Sequence, residues 1–191
     1  MKSPYNFIVK PIGGKRYSNT KDFGGIEFIT SSSKEDHRVS NRLAEVVELP
    51  IIYDGPIMKG DTLLVHHNVF KFYNDIKGVE RSGRSYFMDD LFFIEEGQYY
   101  MYNRDGVWSS CDNFCFVRPI DYEQGYIYEN ISEKPLTGTM VYSNDRLRSV
   151  GINDGDIVAF TPNTEYEFNV DGEKLYRMYD KHITIKLNGR V

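Results

Sequence analysis

Residues 58–67 read MKGDTLLVHH, and residues 153–162 read NDGDIVAFTP. Both set a Gly-Asp pair before an apolar run, the pattern of a turn that launches a strand. The two lie 95 residues apart. Two further pairings occur in the same order. NFIVKPI (6–12) matches NFCFVRPI (113–120) through Lys10-Pro11-Ile12 and Arg118-Pro119-Ile120, at an offset of 108. GRSYFMDD (83–90) matches GEKLYRMYD (172–180) through Tyr86 and Tyr176, Met88 and Met178, Asp90 and Asp180, at an offset of 90. Three ordered pairings with falling offsets predict a tandem duplication whose first copy carries the longer loops.

The boundary is expected near NRDGVWSS (103–110), where turn residues interrupt strands. That gives units of 1–102 and 103–191, each of ordinary domain size. Fifteen Tyr and twelve Phe, with many β-branched residues, suit strands better than helices. Turn signals recur at IYDGP, NDIKG, RSGRS, NDGD, NVDGE and LNG. Short strands at regular spacing predict an all-β fold of two small barrels or sandwiches with long flexible loops.

The formal net charge is −5, so the chain lacks on average the basic field of a phosphate-gripping protein, and no nucleic-acid partner is expected. No apolar run approaches the length of a membrane span, so no membrane is expected either. The start, MKSPYNFIVKPI, has neither the apolar stretch of a signal peptide nor the composition of a transit peptide. With two cysteines, Cys111 and Cys115, the sequence is no disulfide scaffold, and a reducing cytoplasm is the expected location.

Residues 22–33, DFGGIEFITSSS, place an apolar cluster between flexible residues. The surrounding stretch, about 14–41, is rich in Gly, Ser, Asn, Lys and Asp and has little to bury, so it is expected to be mobile. Ile26, Phe28 and Ile29 would then be exposed on it as a recognition element. Burial of an Ile or Phe in a partner contributes about 1.5–3 kcal/mol before the ordering cost. One copy would bind weakly, and a ring of copies tightly. Read without a partner, the same residues form a short strand packed on the protein's own sheet.

Taken in order, these features resemble the co-chaperonin family, the GroES-type lids of chaperonin cages. The residues that carry the likeness are FIVKPI, FGGIEF and RLAEVVEL in the first copy, and GDIVAFTPNTEYEFNVDGEKLYRMYDKHITIKL (155–187) in the second. The resemblance implies tandem GroES-like β-barrels and a mobile loop that docks on a nucleotide-bound, GroEL-type chaperonin ring. It puts Gly24, Gly25, Ile26, Glu27 and Phe28 on the loop motif, with Ile29 beside them, and Glu27 departs from the usual apolar middle residue. At the same place the second copy has Tyr126, Ile127 and Tyr128 in DYEQGYIYENISEKPLTG (121–138), which the resemblance offers as a second, weaker contact and which otherwise reads as only a hairpin. The resemblance also implies a homo-oligomeric ring. The short link where other lids carry a roof hairpin is similar to phage-encoded co-chaperonins, which would place the protein in a host cytoplasm.

Enzymatic chemistry finds little support. His66 and His67, neighbours in an expected strand, should point to opposite faces and share no metal. Cys111 and Cys115, in an extended segment, would stand about 13 Å apart. Asp89-Asp90 and Glu95-Glu96 are expected at strand ends. No nucleophile elbow, P-loop or dinucleotide fingerprint is present. A non-enzyme without metal or cofactor is the expectation. Two rival readings stand beside the lid: a phage structural or assembly protein that reuses the barrel without binding a chaperonin, and a ligand-binding β-barrel with aromatic stacking platforms.

Overall fold

In both Gly-Asp turns the glycine takes a left-handed conformation (φ 86° at Gly60, 90° at Gly155), which a side chain would strain. The aspartate then reaches back to the amide three residues earlier. Asp61 accepts from Met58 N at 2.8 Å, and Asp156 from Asn153 N at 2.7 Å. Both glycine amides bond across the sheet, Gly60 to Val46 O at 2.8 Å and Gly155 to Met140 O at 2.7 Å.

The computed structural model describes residues 1–17, 20–23, 26–29, 40–123 and 131–187, with the backbone alone at 20–23, 26–29, 122–123 and 131–132. The fold is all-β with one short helix among the described residues. The chain divides into Met1–Val107 and Trp108–Val191, inside the 103–110 stretch singled out by its turn residues.

The first unit holds β1 (Phe7–Pro11), β2 (Thr20–Phe23), β3 (Ile26–Ile29), β4 (Leu43–Glu48) and β5 (Thr62–Val65). After them come β6 (Phe72–Asn74), β7 (Glu80–Ser82), β8 (Tyr86–Met88), β9 (Leu91–Ile94) and β10 (Tyr99–Arg104). A two-residue turn at Asp105-Gly106, both with positive φ, leads into β11 (Val107–Ser110). The main sheet has the order β11-β10-β5-β4-β1-β9-β8, while β2-β3 and β6-β7 form separate two-stranded sheets. Val9, Ala44, Leu63, Val65, Phe92 and Met101 are among its fully buried residues.

The second unit holds β12 (Phe114–Glu123), β13 (Ile131–Tyr142), helix α1 (Asp145–Ser149), β14 (Ile157–Phe160), β15 (Tyr166–Val170), β16 (Glu173–Tyr179) and β17 (Ile183–Leu187). Its sheet has the order β15-β16-β12-β13-β14-β17. The β15–β16 hairpin turns at Asp171-Gly172, again both with positive φ, and Gly172 N donates to Asn169 Oδ1 at 3.0 Å. Gly106 N donates to Asn103 Oδ1 at 3.1 Å in the same way. Cys115, Val117, Met140, Leu147, Val158, Phe160 and Met178 form the core.

Read from β17 to β15, the second sheet has the same strand order as β10-β5-β4-β1-β9-β8. The registers coincide residue by residue. Val9 opposes Val46, and Val117 opposes Met140, each beside a bulge that follows Ile8 or Phe116. Ala44 opposes Leu63 as Gly138 opposes Val158. Val65 opposes Tyr99 as Phe160 opposes Ile183, with an irregularity at the same step. His66 N donates to Gln98 O at 2.8 Å, and Thr161 N to His182 O at 3.0 Å.

This register upholds the Lys-Pro-Ile and Gly-Asp pairings and corrects the third. Ile8 and Val9 oppose Phe93 and Phe92, while Phe116 and Val117 oppose Arg177 and Tyr176. Tyr176 therefore corresponds to Phe92 on β9, not to Tyr86, which lies on β8. Any Tyr-x-Met on an alternating strand satisfies the sequence pattern, and the register alone separates β8 from β9. Both strand orders are open among the described residues, so a closed barrel is not shown.

Candidate functional site

The connection between β1 and β4 holds the predicted loop. Its base is firmly built. β1 ends at Pro11, which has no amide hydrogen to continue the ladder. Gly13 and Gly14 follow at φ 72° and 66°. On the returning side, the Asn41 side-chain amide donates to Ile12 O at 2.9 Å and to Lys15 O at 2.7 Å, and Asn41 N donates to Arg16 O at 2.9 Å. Tyr17 and Ser40 form an isolated bridge, and Ser40 Oγ donates to His67 O at 2.8 Å.

Arg16 enters an aromatic cage at this neck. Its guanidinium lies 4.7 Å from the Phe92 ring centroid, 5.0 Å from that of Tyr86 and 5.7 Å from that of Phe72. It also donates to Ser82 Oγ at 3.0 Å. A cation over ring faces is attracted by their quadrupoles, and three rings fix its position. Tyr17 is buried with its ring 4.8 Å from Phe72. Sequence reading missed this cage, because the aromatics come from three separate strands.

Beyond the neck, β2 and β3 pair antiparallel: Thr20 with Ile29, Lys21 with Phe28, Asp22 with Glu27, Phe23 with Ile26. Ile26, Glu27, Phe28 and Ile29 thus lie in a paired strand rather than in an unpaired tip. The pairing leaves Gly24 and Gly25 as its two-residue connection, and both lie outside the described residues.

The corresponding connection of the second unit is also a hairpin. β12 and β13 continue past a bulge, pairing Asp121 with Glu133 and Glu123 with Ile131. Tyr126, Ile127 and Tyr128 lie outside the described residues. Glu133 fastens one arm: it accepts from Lys174 Nζ at 2.6 Å and from the Tyr176 hydroxyl. Burial raises the Glu133 carboxyl, but these two donors and the lysine charge outweigh it and hold it below its ordinary value. The same contacts raise Lys174, with Glu133 the main cause.

Two expectations about metal ligands change. His66 and His67 lie just past β5, and their rings stack with centroids 4.1 Å apart instead of facing opposite ways. The strand period ends at Val65, so it no longer governs them. Cys111 and Cys115 are not joined by extended chain: Asp112 turns at φ 46°, and Phe114 N donates back to Cys111 O at 3.0 Å. Both thiols are free and buried. Burial, aided by Asp180, pushes the Cys115 thiol up to about 12, and burial raises Cys111 as well. Among the described residues, no three His, Cys, Asp or Glu gather as metal ligands. No helix among them is long and apolar enough to cross a membrane.

Asp89-Asp90 and Glu95-Glu96 are exposed at strand ends, between β8 and β9 and after β9. No family model matches the chain, and no curated protein matches it.

Proposed function

We propose that the chain is a two-copy co-chaperonin lid of GroES type. It caps a nucleotide-bound, GroEL-type chaperonin ring through Ile26–Ile29 and assists the partner's ATP-dependent folding cycle. It has no catalytic residue of its own and assembles as a ring, in the cytoplasm of a phage host. The observation that carries the reading is the coincidence of strand order and register between the two units. It supports a duplicated module, and in the first copy the β1–β4 connection of that module projects the hairpin bearing Ile26 and Phe28.

Strand alternation supports the docking role despite Glu27. Ile26 and Phe28 hold alternate register positions on β3, opposite Phe23 and Lys21, with Glu27 between them. A preformed hairpin also loses less conformational freedom on docking than a coil does. The neck at Asn41 and the Tyr17–Ser40 bridge fixes where the hairpin leaves the sheet.

Pairing of Ile26–Ile29 with the chain's own β2 favours one rival, a phage assembly protein that retains the module without a chaperonin. Size-exclusion chromatography with light scattering separates the two readings. The protein is run alone and with a GroEL-type chaperonin plus ADP, beside the Ile26→Ser/Phe28→Ser variant. Nucleotide-dependent co-elution that the double variant abolishes is the expected result. Assembly without co-elution supports the assembly protein.

A further inference from the structure

The first unit carries two exposed apolar features that the second does not repeat: at the matching points of the strand order the second has a short link and a helix, with Val150 alone exposed just after the helix. One is the hairpin β6–β7, inserted after β5, where the second unit has only residues 161–165 between β14 and β15. Ile76 at its tip is 102% exposed, with Tyr73 and Val79 exposed beside it. The tip is stiff. Asp75 accepts from Lys77 N at 2.9 Å, Val79 N at 3.0 Å and Arg81 Nε at 3.1 Å, and Gly78 N donates to Asp75 O at 2.8 Å. Ile76 is thus held out on a rigid turn.

The other feature lies between β4 and β5. Ile51 and Ile52 are 64% and 66% exposed, and Tyr5 is exposed too. Ile51 N donates to Ser3 O at 2.9 Å, and Ile52 N to Pro4 O at 3.4 Å, which brings the two stretches together into one patch. The second unit has α1 in this place, with Arg146 and Arg148 outward.

The two features lie at opposite ends of β1. Ser3 and Pro4, which precede the strand, hold the patch. Arg16 and Tyr17, which follow it, pack on Phe72 and bond Ser82 of the hairpin. They also lie at opposite ends of β5, which the patch precedes and the hairpin follows. One copy cannot bring them together, but two copies arranged head to tail can.

We infer that the Ile76 tip of one copy docks on the Tyr5/Ile51/Ile52 patch of the next. A protruding apolar tip meets a broad apolar surface, and both leave water. Lys77 beside the tip and Asp54 beside the patch, both exposed, supply opposite charges at the rim. Such a contact is heterologous: it propagates from copy to copy and ends by closing a ring or by running on as a filament. It involves no chaperonin, so loss of chaperonin binding leaves it standing.

The test is analytical ultracentrifugation of the full chain, Ile76→Asp, Ile51→Asp/Ile52→Asp, and an equimolar mixture of the two variants. All substituted side chains are exposed, so circular dichroism should report unchanged folds. The wild type should sediment as an oligomer, and each variant alone as a monomer of 22.3 kDa. The mixture should give a species of two chains and nothing larger, because one intact tip meets one intact patch and both remaining surfaces are spoiled. A monomeric wild type, a folded variant that still forms the full oligomer, or a mixture that stays monomeric overturns the contact.

Discussion

Asp61 and Asp156 occupy the same place in two turns, and each is neutralised from a different strand by a different cation. Arg104 on β10 bonds Asp61 through Nε at 2.9 Å and Nη2 at 2.7 Å, while Lys186 on β17 reaches Asp156 at 2.6 Å. β10 and β17 are the equivalent partners of β5 and β14, but the cations stand at different positions on them: Leu63 opposes Tyr102 where Val158 opposes Lys186, so Lys186 corresponds to Tyr102 and Arg104 stands two residues further on. Arginine grips with two donors in a fixed fork, and lysine with a point charge.

Acid stability follows from these pairs. Burial would raise Asp61, but the Arg104 hydrogen bond, the Met58 amide and the arginine charge hold it below its ordinary value. The Asn153 amide and Lys186 lower Asp156 against a smaller desolvation. Both folded pKa values lie below the unfolded ones, so the unfolded chain takes up protons first as pH falls. The stabilisation is complete above about pH 5 and is lost as pH falls through the folded values. Asp61→Asn should cost about 1–3 kcal/mol at neutral pH and flatten the acid limb, and Asp156→Asn about 1 kcal/mol. Urea unfolding between pH 2 and 7 measures both.

Gly138 and Ala44 are equivalent but not interchangeable. A Cβ on Gly138 would stand 2.6 Å from Arg118 O and would also collide with Val117 Cγ1. Ala44 carries its Cβ fully buried at the matching site. Gly138→Ala should destabilise the second unit by about 1–3 kcal/mol through overpacking. Hydrogen exchange should place the loss in β12, β13 and β14, and unchanged protection there would refute the close approach.

Asn41→Ala removes three hydrogen bonds at the hairpin neck: the two its side-chain amide donates and the one its Oδ1 accepts from Leu43 N at 2.9 Å. The expected cost is about 1–2 kcal/mol, given the partial exposure of the site. Faster amide exchange at Asn41 and Leu43, with the rest of β4 unchanged, is the local signature. If the lid reading holds, chaperonin affinity should fall with it, since the hairpin no longer leaves the sheet at a fixed angle.

Cys111 and Cys115 should resist alkylation in the folded protein. The thiolate is the reactive form, and burial suppresses it at both sites. A thiol reagent at pH 8 should label neither residue natively and both in denaturant. Rapid native labelling of Cys115 would contradict its place in the core.

The sheet was legible in the sequence wherever local turn chemistry fixes it. Gly60-Asp61, Gly155-Asp156, Asp105-Gly106 and Asp171-Gly172 all form the expected turns, because positive φ narrows the choice of residue. Long-range register was harder to read. Tyr86 and Met88 mimic Tyr176 and Met178 in type, yet Phe92 and Ile94 occupy their positions. At the candidate site the apolar cluster stood out, but its partner TKDF (20–23) reads as loop and hid the hairpin. NDIKG announced the β6–β7 turn. The exposure of Ile76 depends on what surrounds it in space, which a local pattern does not record.

The inserted hairpin after β5 has a practical meaning for anyone who would rebuild this chain. The same backbone clamp stands where the link begins in each unit, His66 to Gln98 in one and Thr161 to His182 in the other. Residues 67–83 therefore behave as a cassette held in a standard socket, and 162–165 as the blank that fills the other. Moving the cassette to the second socket would relocate its projecting isoleucine while leaving every strand in register.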